Sequence, residues 1–584
     1  MARYTKRFVA VGAAAAMAAS LAACGSGGSS GGGSGSNGTA AGSRGGTLNV
    51  YFQNTFDHTD PQRTYLGLEL SNWKRTVYRS LVNFPISSNP KTADTPMPDL
   101  ATTTGTKSNQ AKTWSFTLKK GIKWQDGKPI TCEDFKYGAS RVFATDTITG
   151  GPNYLLSYLD IPTKNGQPAY DGPYKGDGQK YFDKAITCDG NTITYHFKKP
   201  WPDFPEAVAA LNMMDPYRKD KDQGNKSNYQ IFSNGPYKLQ GGTMWSKEHG
   251  GTFVRNPNYS ASTDSKKLRE ANPNKIVFNV GQTDETIYSK LIADSGPAQS
   301  AITDRPAPPS VFPQITGAVK ERSVDVMSPF VDYLQPNVKV LKNLKVRRAL
   351  YYATNTKAWI DAGGGTRSYA PAHSIVNPAV KGYKPNPYFD APPSGDIAKA
   401  KKLLKQAGVK TPYPLTFMYE STPTADKQAA ALKATWDKAG FKTTLDGIAN
   451  SDTYYTNIQN PKNKASVVWA GWGADWPSAI TVTLPLFDSV QNGVGTKGAT
   501  SNGQDYGNYQ SAKVNKLFDQ AQSATDLSAQ TTALQAADKQ LGHDVAYIPL
   551  EIQKFNFLYG SNIKGFMTTP PSAMYPDLGP IAVK

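Results

Sequence analysis

The chain has 584 residues and a mass of 63.2 kDa, about four times the roughly 150 residues of an average domain, so a miniature disulfide scaffold is excluded and two or three cores are possible. Hydrophobic residues at 38% and aromatic residues at 11% suffice for folded cores despite 52 Gly and 41 Pro, which excludes a chain disordered throughout. The formal charge of +19 raises the question of a nucleic-acid or anionic-membrane partner, but basic residues come as isolated pairs such as Lys119-Lys120, Lys266-Lys267 and Arg347-Arg348. With no zinc-finger spacing and no RNP-type stretch, the charge reads as a solvated surface and no nucleic acid is expected.

In chain order, residues 1–23 read as an export signal. Arg3, Lys6 and Arg7 give a cationic start, residues 8–19 are apolar and mostly Ala, and Leu21-Ala22-Ala23 precede Cys24. The apolar stretch is too short to span a bilayer, which takes about 20 residues. The small residues before the Cys are similar to a bacterial lipobox, so cleavage is expected to leave a lipidated Cys24; an ordinary secretory signal with a chance Cys is the alternative. Losing Arg3, Lys6 and Arg7 lowers the formal charge from +19 to +16. Residues 24–46 form the tether: from 25 onward it holds 11 Gly, 6 Ser and a single charge, Arg44, the composition of a flexible coil. Its reach is roughly 25 Å. No later apolar run reaches 18 residues, so the lipid on Cys24 is the expected anchor.

The body alternates strands and helices. Residues 47–52 open as a strand. Residues 113–118 alternate with period two, Lys119-Lys120-Gly121 turns, and residues 122–124 resume, which predicts a β-hairpin. Thr131 with Asp134 three residues later predicts a helix start, continued by Phe135, Tyr137 and Val142. A further strand pair is expected around residues 192–197. Asp396 precedes Ile397, Ala400, Leu403, Leu404 and Ala407 at helical spacing, with Gly408 at the end. A strand at 415–419, a helix carrying Leu432 and Trp436 and stopped by Gly440, and strands at 441–445 and 467–470 follow. This alternation with short loops predicts an α/β protein, a mixed sheet covered by helices.

The chemistry-bearing residues argue against catalysis. The five His, at 58, 196, 249, 373 and 543, are dispersed and form no HExxH. The body after the tether has no GxSxG elbow and no GxxxxGK[ST] loop. A pair of glycosidase carboxylates converges only in space and has no support here. No metal and no cofactor is expected. Cys24 aside, Cys132 and Cys188 remain, and an oxidising exterior favours their pairing as a structural disulfide over two separately buried thiols. The stretch Trp469-Ala470-Gly471-Trp472-Gly473-Ala474-Asp475-Trp476-Pro477 ends an apolar strand in small residues among three indoles and one carboxylate. It suits an extended ligand with a cationic end; core Trp residues and a turn Asp before Pro are the alternative.

Residues 114–131 (WSFTLKKGIKWQDGKPIT) resemble the signature of the family 5 extracellular solute-binding proteins, the oligopeptide and dipeptide receptors of ABC importers. Residues 73–82 (WKRTVYRSLV), 234–239 (NGPYKL), 253–259 (FVRNPNY), 344–353 (LKVRRALYYA) and the stretch at Asp475 match in the same order. The resemblance implies a two-lobed periplasmic-binding-protein-like fold with mixed sheets and hinge crossovers. It places lobe I at residues 47–332 plus 547–584, with an extra subdomain containing Cys132 and Cys188, and lobe II at 333–546. It implies a non-enzymatic, monomeric, lipid-anchored receptor on the extracellular face of the membrane that captures peptides for an ABC permease. A nickel chelate, haem or an oligosaccharide is the alternative solute, and a secreted hydrolase the alternative class. Asp475 matches the position that accepts a peptide's α-ammonium group, with Trp476 where the family usually has Tyr. The ligand backbone is expected along Gly471 and Trp472, with Gly473 and Ala474 leading to the Asp.

Overall fold

The computed structural model describes residues 44–584 except 165, 571 and 572, so the signal 1–23, Cys24 and nearly all of the 24–46 tether lie outside the described residues. The fold opens with Thr47–Tyr51 (β1), whose Leu48 and Val50 are buried, followed by helix Gly67–Thr76 (α1). An inserted layer comes next: Thr106–Ser108 (β2), Thr113–Thr117 (β3), Ile186–Asp189 (β4) and Thr192–His196 (β5), an antiparallel sheet in the order β2-β3-β5-β4. The expected hairpin between 113–118 and 122–124 does not form. Both edges of β3 are taken, by β2 and by β5. The chain after Gly121 instead folds on itself, with the Trp124 amide donating to Lys128 O at 2.9 Å.

Helix Cys132–Arg141 (α2) begins with the predicted capping box, the Thr131 amide donating to Asp134 Oδ2 at 2.8 Å. Its first residue is disulfide-bonded to Cys188 on β4, with Cα atoms 5.8 Å apart. The bond pins the helix to the inserted sheet across a sequence separation of 56 residues. On chain-entropy grounds such a loop contributes about 4 kcal/mol.

The chain then returns to β1. Tyr237–Leu239 (β6), Gly251–Arg255 (β7), Lys275–Asn279 (β8) and Ala301–Thr303 (β9) complete a five-stranded sheet, β6-β7-β8-β1-β9, in which β1 runs parallel to β8 and β9. A second, six-stranded sheet contains Ser323–Pro336 (β10), Tyr369–Pro371 (β11), Tyr413–Glu420 (β12), Phe441–Ile448 (β13), Val467–Trp472 (β14) and Ile548–Leu558 (β15). Its order is β11-β15-β10-β14-β12-β13. Helix Ile397–Gln406 (α3) is N-capped by Asp396, which accepts from the Lys399 amide, and Pro423–Ala439 (α4) ends at Gly440 with φ 106°. These caps bound the α/β units where the local pattern predicts them. The architecture is α/β and two-lobed, each lobe built on its own mixed sheet with its own apolar cluster, Trp73, Phe253 and Phe278 on the first and Phe417, Leu432 and Trp436 on the second.

The reading of the basic residues as a solvated surface is corrected in part. Lys74, Arg75, Arg79, Arg141 and Arg269 are buried. Each finds an Asp: Arg75 Nε lies 2.9 Å from Asp577 Oδ1, 502 residues away, and Arg141 Nε 2.9 Å from Asp222. A buried cation is tolerable when a carboxylate neutralises it. Partners so far apart in sequence leave no local trace.

Candidate ligand-binding site

Elements from both halves of the chain enclose a cavity of about 380 Å³. Tyr65, Leu66 and Phe84 line it from the first half, and Phe330, Trp472 and Asp475 from the second. The lining is mainly apolar, and among the described residues it includes two carboxylates, Asp475 and Asp94, and no Lys, Arg or His.

Asp475 stands just past the end of β14 at Trp472, after Gly473 and Ala474, and its position is fixed from three sides. Its amide donates to Thr481 Oγ1 at 3.1 Å. The Tyr65 hydroxyl donates to both carboxylate oxygens at 2.9 Å, and the Tyr154 hydroxyl donates to Oδ2. Burial pushes the carboxyl up to about 6, against the lowering effect of the Tyr154 and Tyr65 hydrogen bonds. A carboxylate accepts about four hydrogen bonds, so a further cationic donor from the cavity can join the tyrosines. Asp94 is buried, with Oδ1 lacking a hydrogen-bond partner, and burial raises it to about 6 despite Lys381.

The structure separates the three indoles of the sequence motif. Trp472 lines the cavity and donates from Nε1 to Thr481 O at 3.0 Å. Trp476 also borders it, but its indole is buried against Tyr154 and donates to Asp203 Oδ2 at 2.6 Å. Trp469 lines a different cavity. The small residues have an internal reason too. A Cβ on Gly471 would stand 2.6 Å from Asp332 Oδ1, and one on Gly473 2.8 Å from the Phe330 ring. The close approach they permit is thus first of all to the protein's own side chains. Ala474 completes the lining before Asp475.

One edge of β14 is free where it meets the cavity. Against β10 it pairs along Val467–Trp472, but against β12 only Val467 and Val468 have partners. On that side Trp469–Trp472 have no strand neighbour, although the Trp469 carbonyl already accepts from the Tyr454 hydroxyl. An extended chain can add to such an edge, its backbone forming the ladder. Tyr65, Tyr154 and Asp94 went unseen in the sequence; Tyr65 and Tyr154 stand 410 and 321 residues from the carboxylate they hold.

The model of the bacterial extracellular solute-binding proteins, family 5 middle, matches residues 95–494. The chain belongs to this family. Family 5 proteins bind solutes for ABC importers on the outer side of the membrane and are not enzymes, which removes the hydrolase alternative. The chain is 25% identical over 476 residues to the periplasmic oligopeptide-binding protein OppA of Haemophilus influenzae, covering 78% of this chain and 79% of the relative. It is 26% identical over 484 residues to the glutathione-binding protein GsiB of Escherichia coli K12, covering 80% and 82%. Among solved structures, the clavulanic acid biosynthesis oligopeptide binding protein 2 superposes with a TM-score of 0.81 at 22% identity, covering 94% of this chain and 99% of that one. The two-lobed binding-protein fold is thereby established for nearly the whole described body.

Proposed function

We propose that this family 5 protein captures peptides by their free N-terminus and delivers them to an ABC permease. The observation that carries the reading is the placement of the Asp475 carboxylate at the end of a free strand edge, in an apolar cavity lined by no Lys, Arg or His among the described residues. An α-ammonium group on Asp475 makes a charge-assisted hydrogen bond in a low-dielectric site, and the β14 edge at Gly471 and Trp472 supplies backbone pairing indifferent to side chains. A cavity with carboxylates and no cations disfavours the propionates of haem. In this reading the lobes are residues 47–332 plus 547–584 and residues 333–546, and β10 and β15, at 14 and 11 residues, are the crossover strands between them. The protein acts as a monomer held to the membrane by a diacylated Cys24. The relatives named for oligopeptide and glutathione binding support the solute class.

Native mass spectrometry with a peptide library is expected to show bound, uncleaved peptides, and calorimetry to show pH dependence of a definite sign. The ligand ammonium requires the carboxylate form, and Asp475 in the free protein titrates at about 6. Affinity should be flat above about pH 7 and fall by up to about tenfold per unit below pH 6. A peptide affinity that rises on acidification from pH 7 to 5 contradicts the assignment. For the anchor, an intact-mass measurement on the membrane fraction should find Cys24 as a diacylated N-terminus; an unmodified residue there refutes it.

A further inference from the structure

A second cavity, of about 170 Å³, lies on the face of the six-stranded sheet beneath α4. Asp332 of β10, Glu551 and Gln553 of β15, Tyr419 and Glu420 of β12 and Trp469 of β14 contribute to its wall, and among the described residues no Lys, Arg or His lines it. Asp332 and Glu551 are register partners on adjacent strands, 3% and 1% exposed. Gln553 Nε2 donates to Asp332 Oδ2 at 3.0 Å. Glu551 Oε2 is buried with no donor at full hydrogen-bond geometry, and the nearby Trp359 indole N–H, itself without another acceptor, favours its carboxylate form only weakly. Burial drives Glu551 well above the carboxylate range, Asp332 adds to this, and burial raises Asp332 to about 6, so the two carboxyls share a proton. The other titratable groups facing them are Tyr369 of β11, Tyr455 of helix Ser451–Gln459, and Tyr419 and Glu420.

Two buried acids whose nearby donors are only the Gln553 amide and the Trp359 indole form a site that a cation can complete. Among the described residues no group of three or more His, Cys, Asp or Glu is arranged to hold a metal ion, which leaves an organic cation with several donors. The route from the first cavity is short. Gly471, which lines the first, pairs with Asp332, which lines the second, and Trp469 is two residues further along β14. That is about 7 Å along a strand. The β14 edge that lacks a strand neighbour runs from one cavity to the other, with the Tyr454 hydroxyl on the Trp469 carbonyl at its far end.

We propose that this second cavity receives the cationic side chain, a Lys ammonium or Arg guanidinium, of a peptide lying along β14. The inference rests on the peptide reading above. The incoming cation pairs with Asp332 and Glu551 as carboxylates, and the proton they share leaves to solvent. The occupant thus makes this chain a selective receptor for basic peptides, although the backbone ladder is indifferent to side chains.

The test uses the full-length protein and calorimetry with free-N-terminus tetrapeptides of Ala carrying one Arg at position two, three or four, each against its neutral citrulline counterpart. At one position the Arg peptide should bind at least about tenfold tighter, a difference of roughly 1.4 kcal/mol. That binding should release a proton, read as a heat that changes with the buffer's ionisation enthalpy. Glu551→Gln and Asp332→Asn should abolish the advantage while leaving the all-Ala peptide within about twofold. Equal binding of Arg and citrulline peptides at every position, with the all-Ala peptide still bound, overturns the inference and leaves the peptide reading standing: the acid pair is then a proton-sharing structural contact. Failure of every peptide to bind overturns both. If the variants do not fold, the Arg and citrulline comparison on the unaltered protein still decides.

Discussion

Replacing Asp475 with alanine is expected to weaken the binding of peptides with a free N-terminus by at least about 30-fold. Removing one partner of a buried, hydrogen-bonded charge pair costs about 2 to 5 kcal/mol, and the lower bound corresponds to that factor. The geometry places this carboxylate in the costly class. It is held by Tyr65 and Tyr154 from the first half of the chain, so it is fixed before the ligand arrives. It also lines an apolar cavity in which, among the described residues, Asp94 is the other carboxylate that could take over its role. N-acetylation of the peptide removes the same interaction from the other side and should cost the native protein a similar factor. In Asp475→Ala, free and acetylated peptides should bind alike, because the interaction is already gone. Asp475→Asn, which keeps the shape and an acceptor oxygen for the tyrosines, separates loss of charge from collapse of the site. Equal affinity of native protein for free and acetylated peptides would falsify the assignment of Asp475 as the ammonium acceptor.

The parts of this molecule that could be read from sequence are those whose causes are local. The box at Thr131 and Asp134, the cap at Asp396 and the stop at Gly440 depend on residues three or four apart, and the structure places helix ends at all three. Strands β12, β13 and β14 run beyond the predicted spans, because Glu420, Asp446 and Gly471 interrupt the apolar pattern yet take their extended form from paired neighbours. The predicted hairpin at 113–124 failed for the complementary reason. Its alternation was real, with Trp114, Phe116 and Leu118 buried, but alternation does not name the partner strand, and Trp114 pairs with Tyr195. The site shows the same division. Asp475 stood out by its motif and its family resemblance, whereas the tyrosines that hold it, the neighbouring Asp94 and the acid pair Asp332 and Glu551 are brought together by the fold. Trp469, Trp472 and Trp476 look equivalent in sequence and occupy three different environments, because strand pleating and the turn at Pro477 send each indole elsewhere.

Asp99 should prove the most costly of the acidic residues to remove from the core. It is 0% exposed and accepts from Arg79 Nε at 2.8 Å, from Arg269 Nη1 at 3.1 Å and also from Arg269 Nη2. Asp264 completes the cluster, 2.9 Å from Arg269 Nη1 and 3.5 Å from Arg79 Nε, so two guanidiniums face two carboxylates. Asp99→Ala leaves two buried cations with one anion, and breaking a buried pair in this way costs about 3 to 5 kcal/mol. An exposed pair such as Lys357 and Asp361, with side chains 67% and 52% accessible, provides the contrast: Asp361→Ala should change stability by no more than about 0.5 kcal/mol. Urea unfolding followed by tryptophan fluorescence should rank the two variants accordingly. The pH dependence follows from the same geometry. Burial alone would raise the Asp99 carboxyl, but Arg269 and Arg79 outweigh it and hold the group down to about 2. A depressed carboxyl contributes stability that is complete above about pH 4 and is lost as pH falls toward 2, on the order of 2 kcal/mol for a shift of this size. Native protein should therefore lose more stability than Asp99→Asn between pH 4 and pH 2. An Asp99→Ala protein within about 0.5 kcal/mol of native, or parallel acid profiles for native and Asp99→Asn, would show that the two arginines find other anions and that the cluster is not what closes this part of the first lobe.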